Sequence, residues 1–159
     1  MSDSNGRPEI NPAVGAMLQS ARDWLLHEHS LFRTLDLKPV LIGHSKATFS
    51  VYLPEDFCNA DGKIHGSLLT LIMDSIFGLA AFTALDELKP IATINLRTDY
   101  LADIAPGGRV ACAAECRRLR GDVAHVAGDL TDENTGALIA TGSGAFMIGT
   151  RGPNRESRL

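Results

Sequence analysis

Aromatic side chains are scarce in this chain, at 6% of 159 residues, and positive charge is outweighed, with 15 Lys and Arg against 19 Asp and Glu. A dedicated nucleic-acid binder needs a basic face or a set of rings for base stacking, so both shortages argue against that class. Cysteine is rare too: Cys58, Cys112 and Cys116 are an odd set with no C-x-x-C pair. On one strand the last two would lie roughly 13 Å apart at about 3.3 Å per residue, beyond disulfide reach, so three reduced and mostly buried thiols are expected. Long unbroken apolar runs are missing. The longest, 68–85, is interrupted by Thr70, Asp74, Ser75, Gly78 and Thr83, which argues against a membrane-spanning helix. The opening MSDSNGRPEINPAV has no positive cluster followed by an apolar core, so neither a secretory nor a transit leader is apparent and a cytoplasmic protein is expected.

What is present is a globular composition, 45% hydrophobic, in a chain of the length of one domain. Residues 1–10 and 151–159 are polar and without apolar period, and are expected to be loose tails around a single domain at 11–150. Asn11-Pro12 reads as a helix start, and Val14, Met17, Leu18, Ala21, Trp24 and Leu25 recur at the spacing of an amphipathic helix. Residues 31–39 and 40–53 read as strands, the second closed by Pro54. From Gly66 to about Leu85 apolar residues cover the whole helical circumference, so that helix must be buried. After Pro90 the period becomes two, with Ala92, Ile94, Leu96, Thr98 and Tyr100 on one face and Thr93, Asn95, Arg97 and Asp99 on the other. Three further strands, at 108–119, 122–131 and 137–148, are separated by short turn sequences. The expectation is an α+β protein: a leading helix, two strands, one apolar helix and a four-strand antiparallel meander. The economical burial of such a helix is inside a curved sheet, which is the hotdog fold.

Asp74 stands out because it sits about two turns into the apolar helix, where it cannot cap the start and where a carboxylate is costly unless paired or reached through a cleft. Gly66, Thr70, Asp74 and Gly78 recur every four residues and form a small or polar lane along the helix, so something must approach closely there. A structural Asp with small neighbours that permit packing is the alternative. Just upstream, Asn59-Ala-Asp-Gly-Lys-Ile-His65-Gly66 feeds the helix N-terminus, whose free N–H groups and dipole suit a developing oxyanion. Taken alone, Asn59 is a turn residue and His65 a hydrogen-bonded histidine.

Asn59, His65-Gly66, Asp74 nine positions after the histidine, the strand TINLRTDYL and the closing GSGAFMIG together resemble the hotdog acyl-CoA thioesterases of the PaaI type, over roughly residues 30–149. The resemblance implies hydrolysis of an acyl-CoA to free acid and CoA. Asp74 would be general base or nucleophile, the Gly66 N–H and the Asn59 side chain would polarise the carbonyl, His65 would orient Asn59 or substrate, and Thr93 would help hold the attacking water. It also implies a homodimer, with a tetramer as a dimer of dimers, in which Asp74 faces Asn59 and His65 of the partner subunit. Ser67 stands where the family commonly has a second glycine, and would narrow the pocket mouth or cap the helix. Met73, Phe77 and Leu69 are candidate pocket walls. The phosphates of CoA call for guanidinium groups, for which Arg117, Arg118 and Arg120 at a hairpin tip are candidates, although a solvated turn explains them equally.

A thioester is already activated, so no cofactor beyond the CoA of the substrate and no metal is expected; His27, His29, His44 and His125 show no ligand spacing. Two alternatives remain. A hotdog hydratase or dehydratase would want an Asp, four residues with an Asn-Pro between, and a His, whereas Asp61 and His65 are one residue too close and lack that dipeptide. A non-catalytic acyl-CoA-binding protein would leave Asp74 structural.

Overall fold

Asn11 starts the first helix as its sequence suggests: its Oδ1 accepts the Ala13 N–H at 2.9 Å, and Pro12 opens helix α1 (Pro12–His27). The Asn11 amide also donates to the Asp86 carbonyl at 2.6 Å, tying this start to the loop that follows Phe82. The computed structural model describes residues 9–150, with backbone alone at 21–26. The expected tails at 1–10 and 151–159 therefore lie outside the described residues apart from Glu9 and Ile10.

The strand expected over 31–39 is instead a short helix, α2 (Ser30–Thr34), followed by a turn. Phe32, Leu35 and Leu37 are buried from this segment, and the turn runs through Asp36 at φ 40°, which breaks any strand. The single strand expected at 40–53 is a hairpin, β1 (Lys38–Gly43) and β2 (Lys46–Tyr52), reversing at His44-Ser45 with Ser45 at φ 61°. A hydrophobic pattern cannot register a two-residue reversal without glycine in it.

After a single 3₁₀ turn (Glu55–Phe57) comes helix α3 (Gly66–Phe82), then β3 (Ile91–Tyr100), β4 (Arg109–Arg120), β5 (Val123–Asp132) and β6 (Leu138–Ile148). All pairings are antiparallel, in the order β1-β2-β4-β5-β6-β3. The expected four-strand meander is thus three strands: β3 pairs with β6, not with β4. The eight residues between β3 and β4 return the chain across the sheet, passing α3's start, where the Ile64 N–H donates to the Ile104 carbonyl at 2.9 Å.

The sheet curves around α3, which packs on β2, β3, β4, β5 and β6. Leu68, Leu69, Ile72, Met73, Ile76 and Phe77 of α3 are buried, each contributing on the order of 1.5–3 kcal/mol. No helix among the described residues is long and apolar enough to cross a membrane. Cys112 and Cys116 are buried on β4 and burial pushes both thiols up, while Cys58 is half-buried.

Arg109 locks the left-handed turn. Its guanidinium donates to Asp36 Oδ2 at 2.9 Å, the Asp36 carbonyl at 2.7 Å, Ser50 Oγ at 2.7 Å and the Ser50 carbonyl at 3.1 Å. Arg109→Met removes all four bonds, leaving Asp36 Oδ2 to Lys38 alone, and is expected to cost about 2 kcal/mol, read as a lower Tm. Lys38, with Arg109 behind it, holds the Asp36 carboxyl below its ordinary range against the opposing effect of partial burial. A lowered folded-state value is stability present above the unfolded carboxylate pKa and lost as pH falls through the folded one. The gap between wild type and Arg109→Met should therefore narrow in acid.

Candidate active site

The loop entering α3 is held by Asn59. Its Oδ1 accepts the N–H groups of Asp61 at 3.1 Å and Lys63 at 3.2 Å, which directs the amide NH₂ away from the loop. Lys63 pairs with Asp103 at the surface. His65 is the N-cap: its Nδ1 accepts the Ser67 N–H at 3.1 Å and lies 2.7 Å from Ser67 Oγ. Accepting at Nδ1 places the proton of a neutral ring on Nε2. Ser67 thus completes the cap from within the first turn. The Gly66 N–H belongs to that turn, where no intrahelical carbonyl reaches it, and it carries the positive end of the helix dipole.

The small lane of α3 has a neighbour, and it is β3. Beside Gly66, a Cβ would come within 3.0 Å of the Tyr100 ring. Thr70 Oγ1 lies 2.6 Å from the Tyr100 hydroxyl and donates to Thr98 Oγ1 at 3.2 Å. Asp74 Oδ1 accepts the Thr93 hydroxyl at 2.8 Å, and Gly78 lies against Ile91 and Phe146. The strict alternation expected along β3 fails at one point. Ile94 has no register partner on β6, so the strand bulges there and changes parity. Tyr100, Thr98 and Leu96 face the helix on one side of the bulge, and Thr93 and Ile91 do so on the other. Thr93 therefore shares a face with Thr98 and Tyr100 rather than with Asn95 and Arg97.

Two cavities flank this lane. One, of about 470 Å³, contains Asp74, Ser75 and Thr93 and is lined from α1 and the α2 region by Met17, Leu18, His29 and Phe32. The other, of about 610 Å³, contains Asn59, His65, Gly66, Ser67, Thr70 and Tyr100. Within one chain the acidic group and the helix-start donors open into different cavities.

Met73 and Phe77, expected as pocket walls, line neither of these cavities. Both are fully buried and press on the sheet, where a Cβ on Gly142 would sit 2.8 Å from Met73 and one on Gly128 would sit 2.8 Å from Phe77. Leu69 lines the Asn59 cavity. Arg117, Arg118 and Arg120 are exposed at the β4–β5 hairpin and line neither of these cavities. Arg117 sits in a bulge, since β4 shifts register between Cys116 and Arg118. Among the described residues, no three His, Cys, Asp or Glu side chains group as a metal site. Tyr100 and His29 join the cavities without a signal at the level of single residues. For Tyr100 a cue existed: the glycine opening the lane requires a close neighbour.

The model of the Thioesterase superfamily matches residues 61–139, which spans the loop, α3 and β3 to the start of β6. The chain has the hotdog fold and matches the Thioesterase superfamily over this segment. Among similar solved structures, a variant of the phenylacetic acid degradation protein PaaI from Thermus thermophilus is 26% identical, with 73% of this chain and 96% of that one covered and a TM-score of 0.65. Thioesterase superfamily member 2 from Mus musculus is 23% identical, covering 84% and 98%, with a TM-score of 0.71. The PaaI protein from the E. coli phenylacetic acid degradation operon shares the fold at 12% identity, covering 87% and 95%, with a TM-score of 0.73. No curated protein matches the chain by sequence. Thr93→Val is a clean test of the Thr93–Asp74 bond, since it removes the hydroxyl at constant shape. We expect kcat on a thioester substrate to fall about tenfold through misorientation of the carboxylate, with KM and Tm little changed.

Proposed function

We propose that the protein is an acyl-CoA thioesterase whose active sites lie between two copies of the chain. The observation that carries this reading is the separation described above, with Asp74 and Thr93 in one cavity and Asn59, His65 and Gly66 in the other. β3 ends the sheet as a ten-residue strand whose outer edge pairs with no other strand among the described residues, and Ile94 on it is 50% exposed. Such an edge is a template for a further strand. Two β3 edges joined antiparallel about a twofold axis would set the Thr93 end of one chain beside the Tyr100 end of the other, bringing Asp74 toward the helix start of the partner.

In that composite site the thioester carbonyl oxygen accepts from the Gly66 N–H and the Asn59 amide. Asp74, held by Thr93, either takes the proton of a water that attacks the carbonyl carbon, or attacks that carbon itself to give an acyl–Asp74 anhydride that water then hydrolyses; in both, the C–S bond breaks and the CoA thiolate leaves. Arg117, Arg118 and Arg120 supply positive charge for the CoA phosphates on a chain of net charge −4. The test is a panel of acyl-CoAs followed by thiol release, with an enoyl-CoA followed by absorbance in parallel. Thiol release without hydration of the enoyl compound supports the reading. Hydration, or binding without turnover across the panel, contradicts it.

A further inference from the structure

The cavity holding Asp74 is chemically two-ended. Its polar end is the Asp74–Thr93 pair, and most of its remaining wall is apolar: Met17 and Leu18 from α1, Phe32 from α2, Leu79 and Phe82 from α3 and Phe146 from β6. A polar occupant would leave this wall unused, and a fully apolar one would strand the carboxylate. The shape and chemistry suit a molecule with a reactive polar group at one end and an apolar body at the other. Four of its thirteen lining residues, Met17, Leu18, His29 and Phe32, lie ahead of the segment 61–139 that matches the family model. Met17 and Leu18 are half-buried on one turn of α1, and Phe32 is buried against Phe49 and edge-on to His29 at 5.2 Å.

We infer that α1 and α2 form an acyl-length gauge: Met17, Leu18 and Phe32 line the channel for the apolar acyl body and thereby set how long a chain the Asp74 site accepts. This rests on the proposed thioesterase reading. The substrate class it names is an apolar acyl group of intermediate length, in preference to an acetyl group or a polar acyl group. About 470 Å³ falls in the range of pockets that enclose small ligands, which sets the upper size. Each methylene that enters the apolar channel should raise kcat/KM about fourfold until the wall is met.

The experiment measures kcat/KM for straight-chain acyl-CoAs from acetyl to dodecanoyl, and for phenylacetyl-CoA, on the full chain and on Leu18→Trp and Met17→Ala. Binding of matching S-alkyl-CoA thioethers is measured by calorimetry on the same proteins. Leu18→Trp is expected to lower the octanoyl-to-acetyl ratio at least tenfold and to shorten the preferred chain, and Met17→Ala to lengthen it. Ratios unchanged in both variants, with helicity retained, overturn the gauge, as does an equal loss at every length. The thioethers do not turn over, so their chain-length dependence decides the gauge even if no acyl-CoA is hydrolysed. Absence of hydrolysis would end the thioesterase reading alone.

Discussion

Asp74→Asn is expected to lower kcat on the preferred acyl-CoA by a factor of about 10³, within the range for losing a positioned acid–base group. The effect should fall on the chemistry. An asparagine carbonyl still accepts the Thr93 hydroxyl that now reaches Asp74 Oδ1 at 2.8 Å, so the packing of α3 on β3 is retained and stability should change by less than about 0.5 kcal/mol. What is lost is the negative charge and the ability to take a proton or form an acyl bond. KM should stay within a few fold, because the substrate is held by contacts the change leaves in place. Substantial residual hydrolysis, within tenfold of wild type, would assign Asp74 a structural role.

Gly128→Ala should damage the fold itself. On β5, a Cβ at this position would meet the Ala113 carbonyl oxygen at 2.2 Å, Phe77 at 2.8 Å and Ala114 Cα at 2.9 Å. Two of those three are backbone of the neighbouring strand and cannot swing aside, so the sheet must part or the helix must lift. Overpacking of a tight core typically costs about 1–3 kcal/mol and a backbone collision more, so a loss of about 3 kcal/mol or greater is expected, read as a fall in Tm of about 6–12 °C. Gly108→Ala is the control, since nothing lies within 4 Å of its Cβ position, and it should be near neutral. A Gly128→Ala protein as stable as wild type would mean that α3 is not pressed against β5 through Phe77.

These two residues also mark what the amino-acid sequence reveals and what it hides. Asp74 was legible because a carboxylate inside an all-round apolar helix is anomalous under any fold, and the four-residue recurrence of Gly66, Thr70 and Gly78 announced a close neighbour. The identity of that neighbour was hidden. β3 reads as a uniform alternating strand, yet the bulge at Ile94 reverses its parity and turns Thr93 toward Asp74. Composition does not encode a bulge, because the extra residue is chosen by the pairing on β6. Met73 and Phe77 stand apart from both cavities for a related reason. A large side chain on a buried helix faces a cavity or the sheet according to which strand positions are glycine, and Gly128 and Gly142 become its partners only through long-range pairing. The hairpin at His44-Ser45 escaped because its positive φ falls on Ser45, which does not advertise it, and the turn at Asp36 because a single αL-tolerant Asp does not by itself mark a reversal. The burial of α3 and the all-antiparallel sheet, by contrast, follow from patterns that span many residues and survive such local irregularities.

The claim that each active site is shared between two chains has a direct test in mixed dimers. Asp74→Asn and Asn59→Ala chains, each nearly inactive alone, are co-expressed with different tags and the mixed dimer is isolated. In a shared site, both changes fall on one of its two centres and the other keeps Asp74 from one chain and Asn59 from its partner, so activity should return to about half that of the wild-type dimer. If Asp74 and Asn59 serve the same site within one chain, neither centre is repaired, and a mixed dimer no more active than the mean of its parents would contradict the account.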